Sequence, residues 1–444
     1  MIRIAINNPS PLGANLEKWG DYHFGLALAA ALSAQGAQVT QRFWPEWDRD
    51  DGEDLVIVLR GKRSFRPPAG KLALMWVISH PATVTAEEMH RYDRVLVASE
   101  THYQMVRNDP GISVDIARQC TDTTVFRHST AASDRRGVSF VANSRGVRRE
   151  ILNWAVEAGV RVDVTGRHWK ALGLQHLVVR DYISNADLPA FYGATRLTLN
   201  DHWGDMSHYG YINNRIFDCL ACGTPILTDH FPELRAVCGD GLLYAQDSVS
   251  FWEAYRTFLL RYPEVIENTA RLWSEIGPRY SFAARAAQIL DWAGARPAPR
   301  PRESASAPSG YRPVIDDLMA RLRGAGIARE VQCLHMFPEP GHGAELFQTP
   351  ELNYLSGGMH PGPWHLVMDP SLSSLADGTR DLILIDDLAW LTAAAPEEVT
   401  AFFAAAARKL SAGGMIVAPA AVSGLAGLEG RALMPLPGGY ARVG

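Results

Sequence analysis

Cysteine is scarce in this sequence: Cys120, Cys219, Cys222, Cys238 and Cys333 are the only five in 444 residues. Their spacing forms no framework of paired half-cystines. That excludes a disulfide-stapled domain and points to a reduced, cytosolic compartment. Cys219 and Cys222 make a C-x-x-C, but no second pair accompanies them, so helix packing is preferred over a zinc site. An excess of basic charge is also lacking. The 43 Lys and Arg are outnumbered by 48 Asp and Glu, so nucleic acid is not expected as a partner. Long apolar runs are missing too. None nears the ~20 residues that span a bilayer, which leaves peripheral contact as the form of membrane association still open. The opening stretch MIRIAINNPS reads as a strand and not as a signal peptide. There is no short-period repeat.

What is present is α/β alternation. At ~100–200 residues per domain, this length predicts two or three domains. IRIAI, AQVTQRFW, DLVIVL, LALMWVIS and DRVLVAS are strand-like, and the helical YHFGLALAAALSAQG follows the first of them. Near-continuous apolar strands separated by helices predict a parallel sheet covered on both faces. The pattern restarts at GVSFVANS and runs through RREILNWAVEAG, VRVDVTG, RLTLN and PILT to the helix SFAARAAQILDWAG. Two such units in tandem face each other across a cleft at the carboxyl ends of their strands. We therefore expect a first domain over 1–125 and a second over 126–294. ARPAPRPRESASAPSGYRP reads as a linker over 295–313, and 314–444 as a third, smaller α/β unit.

One helix carries unusual polarity. In GYINNRIFDCLACGTPILTD, a helix opens at Asn213, Asn214 and Arg215 and stops at Gly223. At ~100° per residue, Asn214, Arg215 and Asp218 share one face, while Ile216, Phe217, Leu220 and Ala221 share the other. The unpaired N–H groups at its start suit an anion, and the Arg215 fork matches phosphate oxygens. Asp218, one turn deeper, suits two neighbouring hydroxyls. A diphosphate followed by a ribose diol has this order. The alternative reading is a cap from Asn213 plus an Arg215–Asp218 pair worth only tenths of a kcal/mol.

NNRIFDCLACGTPILTD resembles the donor-site segment of the group-1 glycosyltransferase superfamily, in which a Glu or Asp before A-x-A-C-G-T-P-V binds the nucleotide ribose. The likeness extends over about 1–293. It includes WGDYHFGLALAAAL, MWVISHP, FVANSRGVRREI, DYISNADLPAFY and LNDHWGDMSHYG, in the order seen in a bacterial branch related to spore-maturation and surface-polysaccharide enzymes. The resemblance implies the GT-B fold: two Rossmann-like doubly wound domains facing a cleft, with a nucleotide-sugar donor and no metal required. It implies donor contacts at Asn143, Ser144, Arg145 and Arg149 after the first strand of the second domain. It implies base contacts at Gly166, Trp169 and near Ile183, and phosphate, sugar or ribose contacts at Asn213, Asn214, Arg215 and Asp218. Many relatives carry a second Glu eight residues before the ribose acid. Gly210 stands there, so Asp205 or His208 is expected to substitute.

Glycosyl transfer needs positive charge for the leaving diphosphate and, in an inverting reaction, a base for the acceptor hydroxyl. Asp21 and His23 at the mouth of the first helix, and His80 at the end of VISH, are the catalytic candidates. Arg60 is a further candidate for facing the cleft. Asp48 and Asp50 form a D-x-D that reads as a solvated acidic turn. A metal cluster of Asp201, His202, Asp205 and His208 is not favoured. In the third unit, VQCLHMFPEP, LNYLSGG and RDLILIDDLAWL resemble S-adenosylmethionine-dependent methyltransferases. PEPGHG is a poor cofactor turn, and Gly357 and Gly358 stand where an acid would hold the cofactor ribose. S-adenosylmethionine is therefore not expected to bind, and the unit reads as a degenerate domain used for docking or homo-oligomerisation, with Asp386 and Asp387 ordinary strand-end residues. The expected protein is a cytoplasmic glycosyltransferase at the inner face of the membrane, acting on a glycan acceptor in surface polysaccharide synthesis. The alternative is a methyltransferase of the same pathway, or a bifunctional enzyme.

Overall fold

The computed structural model of the chain describes residues 1–13, 15–128, 135–295 and 299. In the C-terminal third it describes 312–324, 327, 331–336, 352–358, 366–367, 372, 374–385, 395–419, 433–436 and 440–443. The first sheet is parallel throughout. It consists of β1 (Arg3–Pro11), β2 (Gln38–Trp44), β3 (Leu55–Arg60), β4 (Leu72–Val77), β5 (Arg94–Val97) and β6 (Val114–Ile116), in the order β2-β1-β3-β4-β5-β6. LVIVLR and LALMWV are buried at every position, as strands covered on both faces must be. The second sheet, also parallel, holds β7 (Arg136–Val141), β8 (Val162–Thr165), β9 (Val178–Arg180), β10 (Thr195–Asn200), β11 (Ile226–Asp229) and β12 (Leu243–Ala245). Its order is β12-β11-β10-β7-β8-β9. The short edge strands β6, β9 and β12 were not anticipated. At three residues each, they offer too little periodicity to be told from loop.

The two sheets share apolar contacts. Helix α1 (Gly20–Ala34) puts Phe24 against Trp76, and the same ring meets Phe282 at 4.8 Å. Further along, α2 (Glu100–Val106), α3 (Gly204–His208), α4 (Asn214–Ala221) and α5 (Pro232–Cys238) lie where the sheets face each other. The last helix of the expected second domain, α6 (Phe282–Gly294), packs back on the first. Its Ala283 carbonyl accepts from Gln35, and its Arg285 donates to the Arg118 carbonyl. Sequence periodicity shows that α6 has an apolar face but not which sheet that face covers.

A third sheet runs β15-β14-β13-β16-β17-β19-β18, from β13 (Val331–Met336), β14 (Leu352–Gly358), β15 (Leu366–Val367), β16 (Arg380–Ile385), β17 (Leu410–Pro419), β18 (Leu433–Leu436) and β19 (Tyr440–Val443). The first five strands pair in parallel, and β18 and β19 add an antiparallel edge. Helix α7 (Pro396–Lys409) covers it with Phe402 and Phe403. Most of the expected linker 295–313, the turn PEPGHG and Asp386 and Asp387 lie outside the described residues. No helix among the described residues is long and apolar enough to cross a membrane.

The first two domains are latched by one carboxylate. Glu233, on α5, accepts from the backbone N–H groups of Glu100 and Thr101, from the Thr101 hydroxyl and from two nitrogens of Arg118. Beside it, Ser99 donates to the Tyr209 carbonyl and His102 shares a 2.8 Å hydrogen bond with the Tyr211 hydroxyl. Removing one partner of a buried charge pair leaves the other uncompensated, at about 3–5 kcal/mol. Glu233→Ala is therefore expected to lower unfolding free energy by about that amount in urea denaturation and to raise the radius of gyration as the domains part. An unchanged scattering profile with unchanged stability would show that the latch holds nothing.

Candidate active site

In the second sheet β7 and β10 lie side by side, and successive connections run outward from them in opposite directions. A crevice opens beyond their carboxyl ends at such a reversal. Into it come the loop after β7, residues 142–149, and the loop after β10, residues 201–203. A cavity of about 210 Å³ fills it, lined by Asn143, Arg145, Arg149, Asp201, His202, Trp203, Met206 and the start of α4 at Asn213, Asn214 and Arg215.

Helix α4 is placed by its apolar face. Ile216, Phe217 and Leu220 are fully buried in a cluster that also contains Phe24, Phe126 and Phe282, and each such side chain contributes ~1.5–3 kcal/mol. Phe217 stacks on Tyr280 at 4.7 Å. The helix ends in a Schellman turn: Thr224 N–H donates to the Cys219 carbonyl and Gly223 N–H to the Leu220 carbonyl. Gly223 has φ +66°, and a Cβ there would meet His128 at 2.5 Å. At the other end, neither half of the structural alternative is realised. Asn213 makes no side-chain cap; its amide donates to Asn200 Oδ1 and the Asp201 carbonyl instead. Arg215 donates to Asn200 Oδ1 at 3.0 Å, with no ion pair to Asp218. The side chain of Asn213 leaves the N–H groups of the first turn of α4 uncapped, and this end lines the cavity.

The loop after β7 supplies the rest of the charge. Arg149 makes a two-point pair with Asp201, Nε to Oδ2 at 2.7 Å, with both side chains buried. Its guanidinium lies 4.5 Å from the Trp203 ring, and Arg145 lies over the same ring at 5.7 Å. Three arginines against one aspartate leave the lining net positive. His202 is held by Asp229 through Nδ1 at 2.8 Å, while its Nε2 accepts from Asn213 N–H. That pairing assigns the proton to Nδ1 and ties the start of α4 to β11.

The first domain reaches the rim. His80 follows β4 with φ +52°, a left-handed conformation uncommon for a residue with a Cβ, and its Nδ1 lies 3.9 Å from Asp205 Oδ2. Asp205, on α3, is fully buried, and burial pushes its carboxyl up to about 7. Asp21 is raised to about 6 by burial, with the Arg145 guanidinium of the second domain pulling the other way. His23 turns aside, its Nε2 2.8 Å from the Glu17 carbonyl.

Of the donor residues expected from sequence, Asn143, Arg145, Arg149, Asn213, Asn214 and Arg215 come together around the cavity. Others do not. Trp169 is fully buried in the second domain's core, with its indole donating to the Ala142 carbonyl, so it offers no face to a base. Gly166 packs under the same carbonyl, where a Cβ would sit 1.9 Å from the oxygen. Ser144 is a turn residue, bonded to the His168 carbonyl and to Gly146 N–H. Ile183 is half-buried and outside the cavity lining. Asp218 is not presented openly: it is 6% exposed, with Thr121 Oγ1 donating at 2.5 Å and Asn214 Nδ2 at 3.3 Å. The helical wheel placed it correctly on the polar side, but Thr121 from another segment meets it there. Arg60 is fully buried on Glu88 and does not face the cleft. Asp201 and His202 are engaged elsewhere, and among the described residues no group of three or more His, Cys, Asp or Glu could hold a metal. Gly210 cannot be the missing Glu, since a Cβ there meets Thr101 and Glu233 within 3 Å; Asp205 sits at the cleft while His208 is exposed. Sequence reasoning missed Trp203 and Thr121. For Trp203 the signal was an aromatic beside charged residues at a strand's carboxyl end; for Thr121 there was none.

A raised carboxyl has a thermodynamic consequence. In the unfolded chain Asp205 loses its proton near pH 4, but in the folded protein it keeps it to about pH 7. The folded state therefore binds the extra proton, and stability is lost as pH rises through that window. Asp205→Asn is expected to gain stability relative to the wild type from pH 5 to pH 7, by about 1.4 kcal/mol per pH unit, in urea denaturation series. Parallel curves for the two proteins would mean that the carboxyl titrates normally.

Residues 145–291 match the family described as glycosyl transferase-like. No curated protein matches the chain. Among solved structures, the chain is similar to sucrose-phosphate synthase from Thermosynechococcus elongatus, with a TM-score of 0.50 and 12% identity over 67% of this chain and 100% of that one. Anabaena HepE in complex with UDP and glucose aligns with a TM-score of 0.48 and 11% identity, over 66% and 100% of the two chains. The T4 phage β-glucosyltransferase aligns with a TM-score of 0.45 and 13% identity, over 66% and 99%. At 12% identity, the likeness to the first of these shows the fold. Two parallel six-stranded α/β sheets facing a cleft make it the GT-B fold, and the glycosyl transferase-like family model matches within its second domain, at residues 145–291.

Proposed function

We propose that the chain is a GT-B glycosyltransferase that moves a sugar from a nucleotide-sugar donor to a glycan or other hydroxyl-bearing acceptor. One observation carries this reading. Three arginines and a helix start that Asn213 does not cap line a cavity at the switch point, and His80 of the opposite domain lies 3.9 Å from Asp205, the neighbour of the lining residue Met206. Fixed positive charge aimed at a departing diphosphate is the largest single aid to such a reaction. In this reading Arg145 and Arg215 flank the diphosphate, and the N–H groups of α4 add their partial charge. Arg149, bound to Asp201, holds the loop. The arginines take the part a metal ion would otherwise play, so the scheme requires none. Asp218 accepts the ribose hydroxyls through the oxygen that Asn214 now holds at 3.3 Å. Backbone near Ile183 reads the base.

On the acceptor side, His80 takes the hydroxyl proton in an inverting reaction, with Asp205 orienting its ring. Asp21, raised toward neutrality, is a second proton acceptor at the same rim. The setting in bacterial surface glycan synthesis, in the cytoplasm at the inner membrane face, is part of the proposal and rests on the sequence likeness of residues 1–293. So does the reading of the third unit as a methyltransferase-like domain without methylating activity. A mostly parallel sheet with an antiparallel edge supports that reading, and so does β14 ending on Gly357 and Gly358 rather than on an acid.

The test is a thermal-shift screen of nucleoside diphosphates and their sugars, since a ligand of the native state raises the melting temperature by mass action. At least one is expected to stabilise the protein, and Arg215→Ala to weaken it about 10–100-fold through loss of a charge-assisted contact. No stabilisation by any of them would refute the reading. A second expectation concerns pH. Burial raises the Asp218 carboxyl to about 7, and only the carboxylate accepts from both ribose hydroxyls. Donor binding should therefore tighten as pH rises through 7. In Asp218→Asn, calorimetry should find weaker binding without that rise.

A further inference from the structure

The loop carrying Arg145 and Arg149 is held from two sides. On its own domain's side, Ser144 bonds the His168 carbonyl and Arg149 grips Asp201. On the other side it is held by the C-terminal unit. Val147 is fully buried in an apolar cluster whose other buried members, Leu334, Leu375, Ile383 and Phe402 among them, all belong to that unit. Val147 also forms an antiparallel bridge with Leu375. Arg148 N–H donates to the Ser374 carbonyl at 2.8 Å, and Arg380 Nη2 donates to the Arg145 carbonyl at 2.9 Å. Trp203, the ring under both arginines, packs against the same cluster.

Arg380 is the unusual member. It is fully buried, and its Nε and Nη1 have no hydrogen-bond partner among the described residues. A buried guanidinium with orphan donors costs stability, and an apolar side chain of similar volume is often neutral or better in such a place. Its bond to the loop is therefore poorly explained as a means of folding. What the bond does is fix a strained carbonyl. Arg145 has φ +52°, a left-handed conformation that a residue with a Cβ keeps only where the surroundings hold it, and Gly146 follows at φ +72°, which glycine adopts freely. A Cβ on Gly146 would lie 3.1 Å from Arg380 Nη2. The position of the Arg145 guanidinium follows from that backbone.

We propose that the C-terminal unit completes the donor site, with Arg380 the positioning residue that sets Arg145 toward the donor's diphosphate. The inference rests on the donor-site reading above. It gives the third unit a task in glycosyl transfer that needs no cofactor of its own. Arg380 touches neither substrate nor reacting atoms; it acts through the Arg145 backbone.

The test uses the full chain with Arg380→Met, which keeps volume and removes every donor, and Arg380→Lys, which keeps one donor and the charge. UDP, GDP and ADP are titrated by calorimetry. Donor turnover is followed with the sugar conjugate of whichever binds. For Arg380→Met the dissociation constant and the donor KM are expected to rise about tenfold, the value of one hydrogen bond, and kcat to fall as well, because Arg145 also serves the departing diphosphate. Its urea midpoint should stay at or above the wild type's, and Arg380→Lys should recover part of the affinity. Unchanged binding in Arg380→Met would overturn the inference, as would a loss of kcat at constant KM. A fall in its urea midpoint would show a folding role instead and overturn it too. If the wild type binds none of the three nucleotides, the donor-site reading fails and the inference falls with it. Normal binding in the wild type and in Arg380→Met alike defeats the inference alone.

Discussion

Burial of Ile216, Phe217 and Leu220 is the constraint on which the rest depends. These side chains enter a cluster shared by both leading sheets, so α4 cannot rotate or slide without exposing them. Its amino end is thereby pointed into the crevice where β7 and β10 diverge. The Schellman turn at Gly223 fixes the other end. Everything polar at the site is arranged around a helix start that apolar packing has already aimed.

The second level is electrostatic. The cavity is positive because its one lining carboxylate, Asp201, is paired with Arg149, while Arg145 and Arg215 line it as well. The carboxyls close by, Asp21, Asp205 and Asp218, are all raised by burial to between about 6 and about 7. Carboxyls that resist ionisation do not cancel the positive field. The same desolvation places them in the range useful for proton transfer. One cause, exclusion of water between two domains, thus gives both an anion site and groups that titrate near neutrality.

The third level is coupling. Glu233 latches the first two domains behind the cleft, and the C-terminal unit grips the loop in front of it. The cavity is therefore defined by three parts of the chain. Residues remote in sequence, such as Arg380 and Arg145, share one hydrogen bond.

Much of the fold was legible from local pattern. Fully apolar runs such as LVIVL and LALMWV could only be strands covered on both faces, and the restart at GVSFVANS implied a second sheet. The polar face of α4 and its stop at Gly223 followed from period and residue type, and its pairing with the loop after β7 from the family resemblance. What local pattern could not supply was any contact made across the fold. The resemblance puts Trp169 against the base, yet the core takes it. Asp218 lies on the polar side of its helix, but Thr121 arrives from another segment to cover it. Periodicity shows which face of an element is apolar; only tertiary packing decides what that face, or the opposite one, meets. Thus the sequence alone determined the α/β domains, the switch-point crevice and the anion-seeking helix start. The tertiary structure decided which carboxyls lose their water, which arginines line the cavity and which distant unit holds their loop, because desolvation and reach depend on neighbours far away in the sequence.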